Sequence, residues 1–340
     1  MLLSLLLHGL AFVALAIATP IFKRDFLDPE PVSGDVQGFV HDPSIHIFNG
    51  TYYLYTTDNH TNVRSAPSMS GPWKFLGPAL SEDSVIDRPG RNVTWAPDLA
   101  KIGDTYYLYY SVSTFGAQEM SDIGVATSTT LEPGSWTDHG SIGIPHDKRY
   151  NRIDANLYLS GSKDSAPLLA FGSFNDGIFQ VPMADPPLRI IEGSTYTHLQ
   201  LNSTRRNTEG PYQFRWVEQG TQKSSYYLFF SGGACCNKPD ELEVQGEEYR
   251  ISVCRSESPS GPFTDKEGKD CVKENGGTLV LASHGDVYAP GGQGVFWDPE
   301  QEAVVIYYHY VKPSVSFLYE QFFFGWNKLS FEGGWPSIVS

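Results

Sequence analysis

Apolar positions along the chain come in short runs separated by turns, and the runs repeat. GTYYLYTT (50–57), DTYYLYYS (104–111) and SYYLFFS (225–231) share one phrase, and LLAFGS (168–173) and VVIYYHY (304–310) are looser copies. Turn residues such as Phe48-Asn49-Gly50 and Ile102-Gly103-Asp104 precede them. Aromatic and branched runs bounded in this way predict β-strands. A second phrase follows in VRSAPS (63–68), IGVATS (123–128) and ISVCRS (251–256), and a Pro- or Gly-marked outer segment in SGPWKF, PGSWTD and SGPFTD. One unit therefore reads as strand, turn, strand, link, strand, turn, outer strand, recurring about every 55–60 residues. Five such four-stranded antiparallel units predict an all-β, five-bladed β-propeller with its active site at one end of the central channel. Blades bury both faces against their neighbours, so middle strands can be aromatic throughout. The long interval between the fourth and fifth units holds segments 232–249 and 265–280, expected to be loops. No amphipathic helical pattern of the length a doubly wound α/β fold needs is present.

Composition agrees with many short strands: the 340 residues include 19 Tyr, 20 Phe, 7 Trp, 33 Gly and 23 Pro, but only 4 Met. The formal net charge of −15 excludes nucleic acid and anionic membrane surfaces as natural partners, since both reward Lys and Arg. Residues 1–18 form an apolar stretch ending in Ala16-Ile17-Ala18, which predicts a signal peptide and an extracellular, secreted protein. Lys23-Arg24 would end a short propeptide, leaving residues 25–340 as a single catalytic propeller. Sequons at Asn49, Asn59, Asn92 and Asn202 fit export through a glycosylating pathway. Cys235, Cys236, Cys254 and Cys271 fall within one 37-residue window and are expected to form disulfides pinning a local insertion, with the pairing open. They lack C-x2-C spacing for zinc.

Acids head the innermost strands at nearly even spacing. Asp42 opens HDPSIHIF, Asp98 opens WAPDLAKI, Asp154 opens IDANLYL and Glu209 opens EGPYQFRW, at intervals of 56, 56 and 55 residues. Gln293 is a fifth polar start, 84 residues later. A lone Asp before a strand is ordinarily a turn or cap residue. The same residue type at matched positions of a radial repeat instead converges on the axis, where the acids cannot all ionise comfortably. Two carboxylic acids flanking an acetal suffice for glycoside hydrolysis, one protonating the leaving oxygen and one activating water. Asp42, Asp154 and Glu209 could supply base, neighbour and acid.

The ordered set HDPSI, WAPD, YYLYYSVSTFG, IGVATS, EPGSWTDHG, YNRIDANL, FGSF, TEGPY, YYLFFSGG, EEYRISVCRS, SGPF and YAPGGQGV resembles glycoside hydrolase family 43, closely its fungal endo-1,5-α-L-arabinanases, from about residue 35 to the C-terminus. The resemblance implies an inverting mechanism on internal α-1,5-L-arabinofuranosidic linkages of arabinan. Position by position it implies Asp42 as general base, Glu209 as general acid, and Asp154 as the group that raises the acid's pKa and orients it. Trp95 and Phe115 are expected to stack on sugars, Asn156, Ser173 and His284 to hydrogen-bond around the site, and Asp98 and Gln293 to support it. The polysaccharide is the expected partner of a monomeric protein.

Three departures from the family pattern matter. Many members use a His in a last-blade G-P-G-H segment to help hold a metal ion on the axis; here Ala289-Pro-Gly-Gly-Gln293 stands in its place. The chemistry requires no cofactor, and this departure counts against a structural calcium or sodium ion, although Gln293 or His284 with waters could assist one. Ala155 stands where relatives often have Gly or Pro. Arg205-Arg206 just ahead of Glu209 would oppose acid function if either guanidinium reached it. Within the same fold, the alternatives are an exo-acting arabinanase, an α-L-arabinofuranosidase or a β-xylosidase. A sucrose- or fructan-acting enzyme would normally show an R-D-P segment, absent here. A lectin or scaffold would not require three acids at matched positions.

Overall fold

The computed structural model describes residues 26–116, 118–160, 165–218, 220–221, 223–235 and 239–340. The expected signal peptide and propeptide, and Cys236, lie outside them. Five antiparallel sheets follow one another in the chain as the blades of a propeller. From the axis outward, blade 1 is Ser44–Phe48, Thr51–Thr56, Asn62–Ala66 and Lys74–Pro78. Blade 2 is Val93–Ile102, Thr105–Val112, Asp122–Ser128 and Thr137–Ser141. Blade 3 is Asn156–Tyr158, Leu168–Phe171, Ile178–Pro182 and Thr197–Gln200. Blade 4 is Thr208–Val217, Ser224–Gly232, Arg250–Ser256 and Thr278–Leu281. Blade 5 is Tyr288–Asp298, Ala303–Val311, Phe322–Ser330 and Ser337–Val339.

Two details differ from expectation. Blade 2 gains a fifth, two-residue strand, Asp58–Asn59, paired to its innermost strand. The outer strand of blade 4 is Thr278–Leu281 rather than SGPFTD, so the insertion before it ends earlier than segment 265–280 implied. SGPFTD instead forms isolated bridges through Thr264, and the Cys254–Cys271 disulfide ties this insertion to the third strand of the blade.

The aromatic runs are continuous because each second strand serves two interfaces. In a strand, successive side chains point to opposite faces. Tyr53 and Tyr55 therefore pack with Tyr106, Leu108 and Tyr110 between blades 1 and 2, while Tyr52 and Leu54 join Val305, Tyr307 and Phe324 between blades 1 and 5. Tyr107 and Tyr109 meet Leu169 and Phe171 of blade 3. Leu228 and Phe230 face Ala170 and Ile178 of blade 3, whereas Tyr227 and Phe229 face Val304, Ile306 and Tyr308 of blade 5. Each interface is a separate small core, and the five together close the ring.

Around the axis the blades are latched by one recurring hydrogen bond. A backbone N–H of each innermost segment donates to a side chain of the preceding blade. The five are Ile45 to Tyr307 Oη (3.3 Å), Leu99 to Ser44 Oγ (3.1 Å), Leu157 to Asp98 Oδ2 (2.8 Å), Gln213 to Asn156 Oδ1 (2.8 Å) and Gly292 to Ser231 Oγ (3.0 Å). Each donor lies three residues beyond a left-handed bend at Asp42 (φ 46°), Ala96 (φ 44°), Asp154 (φ 60°), Gly210 (φ 60°) or Ala289 (φ 51°). These bends lift the preceding chain out of the sheet and aim its side chains at the channel mouth.

Candidate active site

The bends open into a cavity of about 340 Å³ lined by residues of all five blades. Asp42, Asp154, Glu209, Trp95, Phe115, Ser173, Asp98 and Gln293 line it, as do Thr57, Phe174, Tyr249 and Tyr319, which the sequence did not single out. Asn156 and His284 do not. Left-handed backbone at a non-glycine residue is strained, and Asp tolerates it better than most. Asp42 and Asp154 occupy equivalent bends, while Glu209 sits one residue ahead of the bend at Gly210.

Asp42 is held from several sides. Its N–H donates to His309 Nδ1 (3.0 Å), the Thr57 hydroxyl donates to Oδ2 (2.8 Å), and His41 Nδ1 lies 2.8 Å from Oδ2. Thr57 Oγ1 in turn accepts the Ala96 N–H (2.8 Å). Burial alone would push this carboxyl up, but His41 beside it, with His309 and Thr57, outweighs burial and holds its pKa at about 2. Asp42 is therefore ionised across the working range, as a general base must be.

Asp154 and Glu209 titrate together. Burial raises both, and repulsion adds to it: Glu209 and Asp42 act on Asp154, and Asp42 acts on Glu209. The pair therefore keeps a proton where ordinary carboxylates are ionised. Their partners differ in kind. Asp154 Oδ2 accepts the Gly210 N–H (3.0 Å), an obligatory donor that favours the ionised form. Glu209 Oε2 accepts the Ser173 hydroxyl (2.6 Å), and the carboxyl is also bonded by the Tyr249 hydroxyl; both contacts pull its pKa back down against burial. The two arginines ahead of it turn away: Arg205 pairs with Glu247 (2.6 Å) and Arg206 with Asp176 (2.9 Å).

Asp98 takes the supporting place expected of it, and two other expectations, Asn156 and His284, are corrected. Asp98 is buried, and Leu157 N–H and Asn156 Nδ2 both donate to it, so it is an inter-blade latch; burial lifts its pKa to about 7 against those two bonds. Ser44 and Asn156 accept the corresponding latch bonds, which shows that the position calls for an acceptor and not for an acid. Asn156 spends both ends of its amide on Asp98 and Gln213 and does not reach the cavity. His284 is wholly buried away from the site, with its ring nitrogens against the Ala282 and Leu27 carbonyls, because the turn between blades 4 and 5 folds it inward.

Two glycines of the innermost strand of blade 5 pack closely beside the acids. A Cβ on Gly291 would lie 2.0 Å from the Tyr249 ring, and one on Gly292 would lie 2.7 Å from Asp42 Oδ1 and 2.8 Å from His309. His41, Cys235 and His309 cluster there. They do not fit a calcium site, which asks for six to eight oxygen ligands. His309 Nδ1 is used by the Asp42 N–H, so Nε2 carries the proton and has no lone pair to offer; Cys235 is disulfide-bonded; and Gln293 Oε1 accepts from Ser231 (2.7 Å) while Nε2 donates to Gly210 O (2.7 Å).

On the rim, Trp95 and Phe115 pack at 5.0 Å between ring centroids, and Tyr319 continues the wall at 6.4 Å from Phe115. Phe115 is 76% exposed. Phe174 stands apart from this wall, on the loop that carries Ser173. Tyr249 and Tyr319 come from the irregular insertions, where no repeat marks them. Phe174 was within sight in FGSF but carried no periodic signal.

Residues 31–336 match the family described as glycosyl hydrolases family 43. The chain is 45% identical to arabinan endo-1,5-alpha-L-arabinosidase A of Aspergillus aculeatus, over 95% of this chain and 98% of that one. Among solved structures, a family 43 endo-arabinanase from Bacillus licheniformis superposes with a TM-score of 0.73 at 27% identity, covering 90% of this chain and 99% of that one. An exo-1,5-alpha-L-arabinanase from a bovine ruminal metagenomic library gives 0.76 at 25% identity, covering 91% and 99%.

Proposed function

The chain belongs to glycosyl hydrolase family 43, and from that premise we propose that it is an endo-acting hydrolase of arabinan, cleaving internal α-1,5-L-arabinofuranosidic linkages. The observation that carries the chemistry is the meeting of Asp42, Asp154 and Glu209, from three blades, on one cavity. Glu209 donates its proton to the glycosidic oxygen as the C1–O bond breaks. Asp42 takes a proton from a water that attacks C1 on the opposite face, so the anomeric configuration inverts, Asp42 ends protonated and Glu209 ends ionised. Asp154 keeps the proton on Glu209 beforehand and fixes the bend through Gly210. Trp95 and Phe115 offer flat apolar faces to the C–H faces of furanose rings.

Secretion is part of the proposal: it is supported by the apolar leader, by the Cys254–Cys271 disulfide and by the exposure of Asn49, Asn59 and Asn92. Among the described residues no helix is long and apolar enough to cross a membrane.

The test compares wild type with Asp42→Ala and Glu209→Gln on linear arabinan. Both variants should fold and bind arabino-oligosaccharides by calorimetry, while turnover falls by about 10²–10⁴-fold. Wild-type product should appear as a ladder of oligomers with the first-formed anomer inverted by proton NMR. Wild-type-like turnover in either variant removes that residue from the mechanism, and a single short product from the start refutes endo action.

A further inference from the structure

The loop between the second and third strands of blade 3 holds a partly exposed aromatic residue in an unfavourable backbone conformation. Phe174 is 39% exposed, has φ 54° and is followed by Asn175 at φ 44°. A bulky residue in the left-handed region costs about 1–3 kcal/mol, and such strain persists only where the surroundings enforce it. Here they do. The Phe174 N–H donates to Thr208 O (2.9 Å), and its carbonyl accepts the Gly177 N–H (2.6 Å). Gly177 packs so closely on Gln200 that a Cβ would lie 2.3 Å from the Gln200 carbonyl oxygen. Below the loop, the Asp176 carboxylate accepts from Arg206 and its carbonyl faces His198 (2.6 Å). The ring lines the catalytic cavity.

The position of this ring relative to the acid gives it a side. Ser173, immediately before it, donates to Glu209 Oε2, and Thr208, which anchors its N–H, immediately precedes Glu209. The general acid faces the leaving-group oxygen, so a ring built onto the acid's own support lies on the leaving-group side of the scissile bond. Trp95 is tied instead to the base, through the adjacent Ala96 N–H, Thr57 and Asp42.

We propose that Phe174 is the platform for the departing arabinofuranosyl residue, a specificity-determining residue that gives this site its grip beyond the cleaved bond. Endo action requires such a grip on both sides, so the inference rests on the proposed function and deepens it. In this arrangement Trp95 and Phe115 hold the sugars on one side of the bond and Phe174 holds the first sugar on the other.

The experiment compares arabinohexaose, whose leaving group is a sugar chain, with α-L-arabinotriosyl fluoride, whose leaving group is a fluoride ion that needs no protonation and is too small to rest on Phe174. Phe174→Ala should lower kcat/KM on arabinohexaose by about ten- to a hundredfold, since stacking and apolar burial of that size are lost. The fluoride should change by less than about threefold. Phe174→Leu keeps the bulk without the flat face and should fall in between. Cleavage of end-labelled arabinohexaose should also shift position in the Ala variant. Equal losses on both substrates, in either variant, would mean a structural role for the loop and overturn the proposal, as would no loss on arabinohexaose. If wild type fails to cleave arabinohexaose at all, it is the arabinanase reading that falls.

Discussion

Asp154→Asn isolates what the third acid contributes. The substitution is nearly isosteric, Asn tolerates the left-handed bend at φ 60°, and its amide oxygen can still accept the Gly210 N–H. What disappears is one negative charge beside Glu209. A unit charge at about 4 Å in an environment of effective dielectric about 20 is worth about 4 kcal/mol, and like-charge neighbours in buried sites shift carboxyl pKa values by roughly 1–3 units. The sign follows directly: removing a like charge makes ionised Glu209 easier to form, its pKa falls, and the protonated acid is lost at lower pH. The alkaline limb of kcat/KM against pH, which reports the free enzyme's acid, should move down by about 1–3 units on linear arabinan. The acid limb should stay near the pKa of Asp42, about 2. Above the shifted limb, each unit costs about tenfold in rate. Thermal melting should change little, separating this from misfolding. An alkaline limb that does not move would refute the assignment of Asp154 as the group that keeps Glu209 protonated.

Two further outcomes test the frame around the acids. Asp98→Ala removes a buried acceptor and leaves the Leu157 N–H and the Asn156 amide unpaired, so urea denaturation should show a loss of about 1–3 kcal/mol, while the two pH limbs of kcat/KM stay where they are. Gly292→Ala drives a methyl group into Asp42 Oδ1 and His309 at a left-handed backbone position. Turnover should fall by at least about tenfold, whereas the same change at the open turn of Gly103, also left-handed, should leave turnover alone and cost about 1–2 kcal/mol of stability.

Much of this architecture was legible because the propeller writes its repeat in two independent signals. The aromatic runs marked the second strands of all five blades, since a strand covered on both faces shows no polar alternation. The acids marked the mouth of the channel, and the expectation that Asp42, Asp154 and Glu209 share one site follows from the radial geometry. Hydrogen-bond donors were harder. His284 and Asn156 have the right chemistry for a sugar site, but whether a polar side chain faces the channel or a neighbouring blade depends on one residue of register. The Tyr249 and Tyr319 positions depend on insertions whose course no repeat constrains.

Asp98 shows most clearly how even spacing can mislead. Counting acids gave three nearly equal steps, but the physical repeat is the bend, and the bend of blade 2 is Ala96. The chain announces it another way: His-Asp-Pro, Trp-Ala-Pro, Glu-Gly-Pro and Tyr-Ala-Pro place the bend residue before a proline in four of five blades, with Asp154-Ala155 the exception. Aligned on that proline, Asp98 falls level with Ser44 and Asn156, the acceptors of the inter-blade latch, and Glu209 falls level with Trp95, one step nearer the mouth than Asp42 and Asp154. Blade 5 likewise bends at Ala289, so Gln293 belongs to the wall and not to the series of acids. The register also explains the division of labour. Of the two acids at a bend, Asp42 is held by His41 and the Thr57 hydroxyl and Asp154 by the Gly210 N–H, which suits a base held ionised and a fixed neighbouring charge. Glu209, one step earlier, is bonded by the Ser173 and Tyr249 hydroxyls, which hold its carboxyl at the cavity wall.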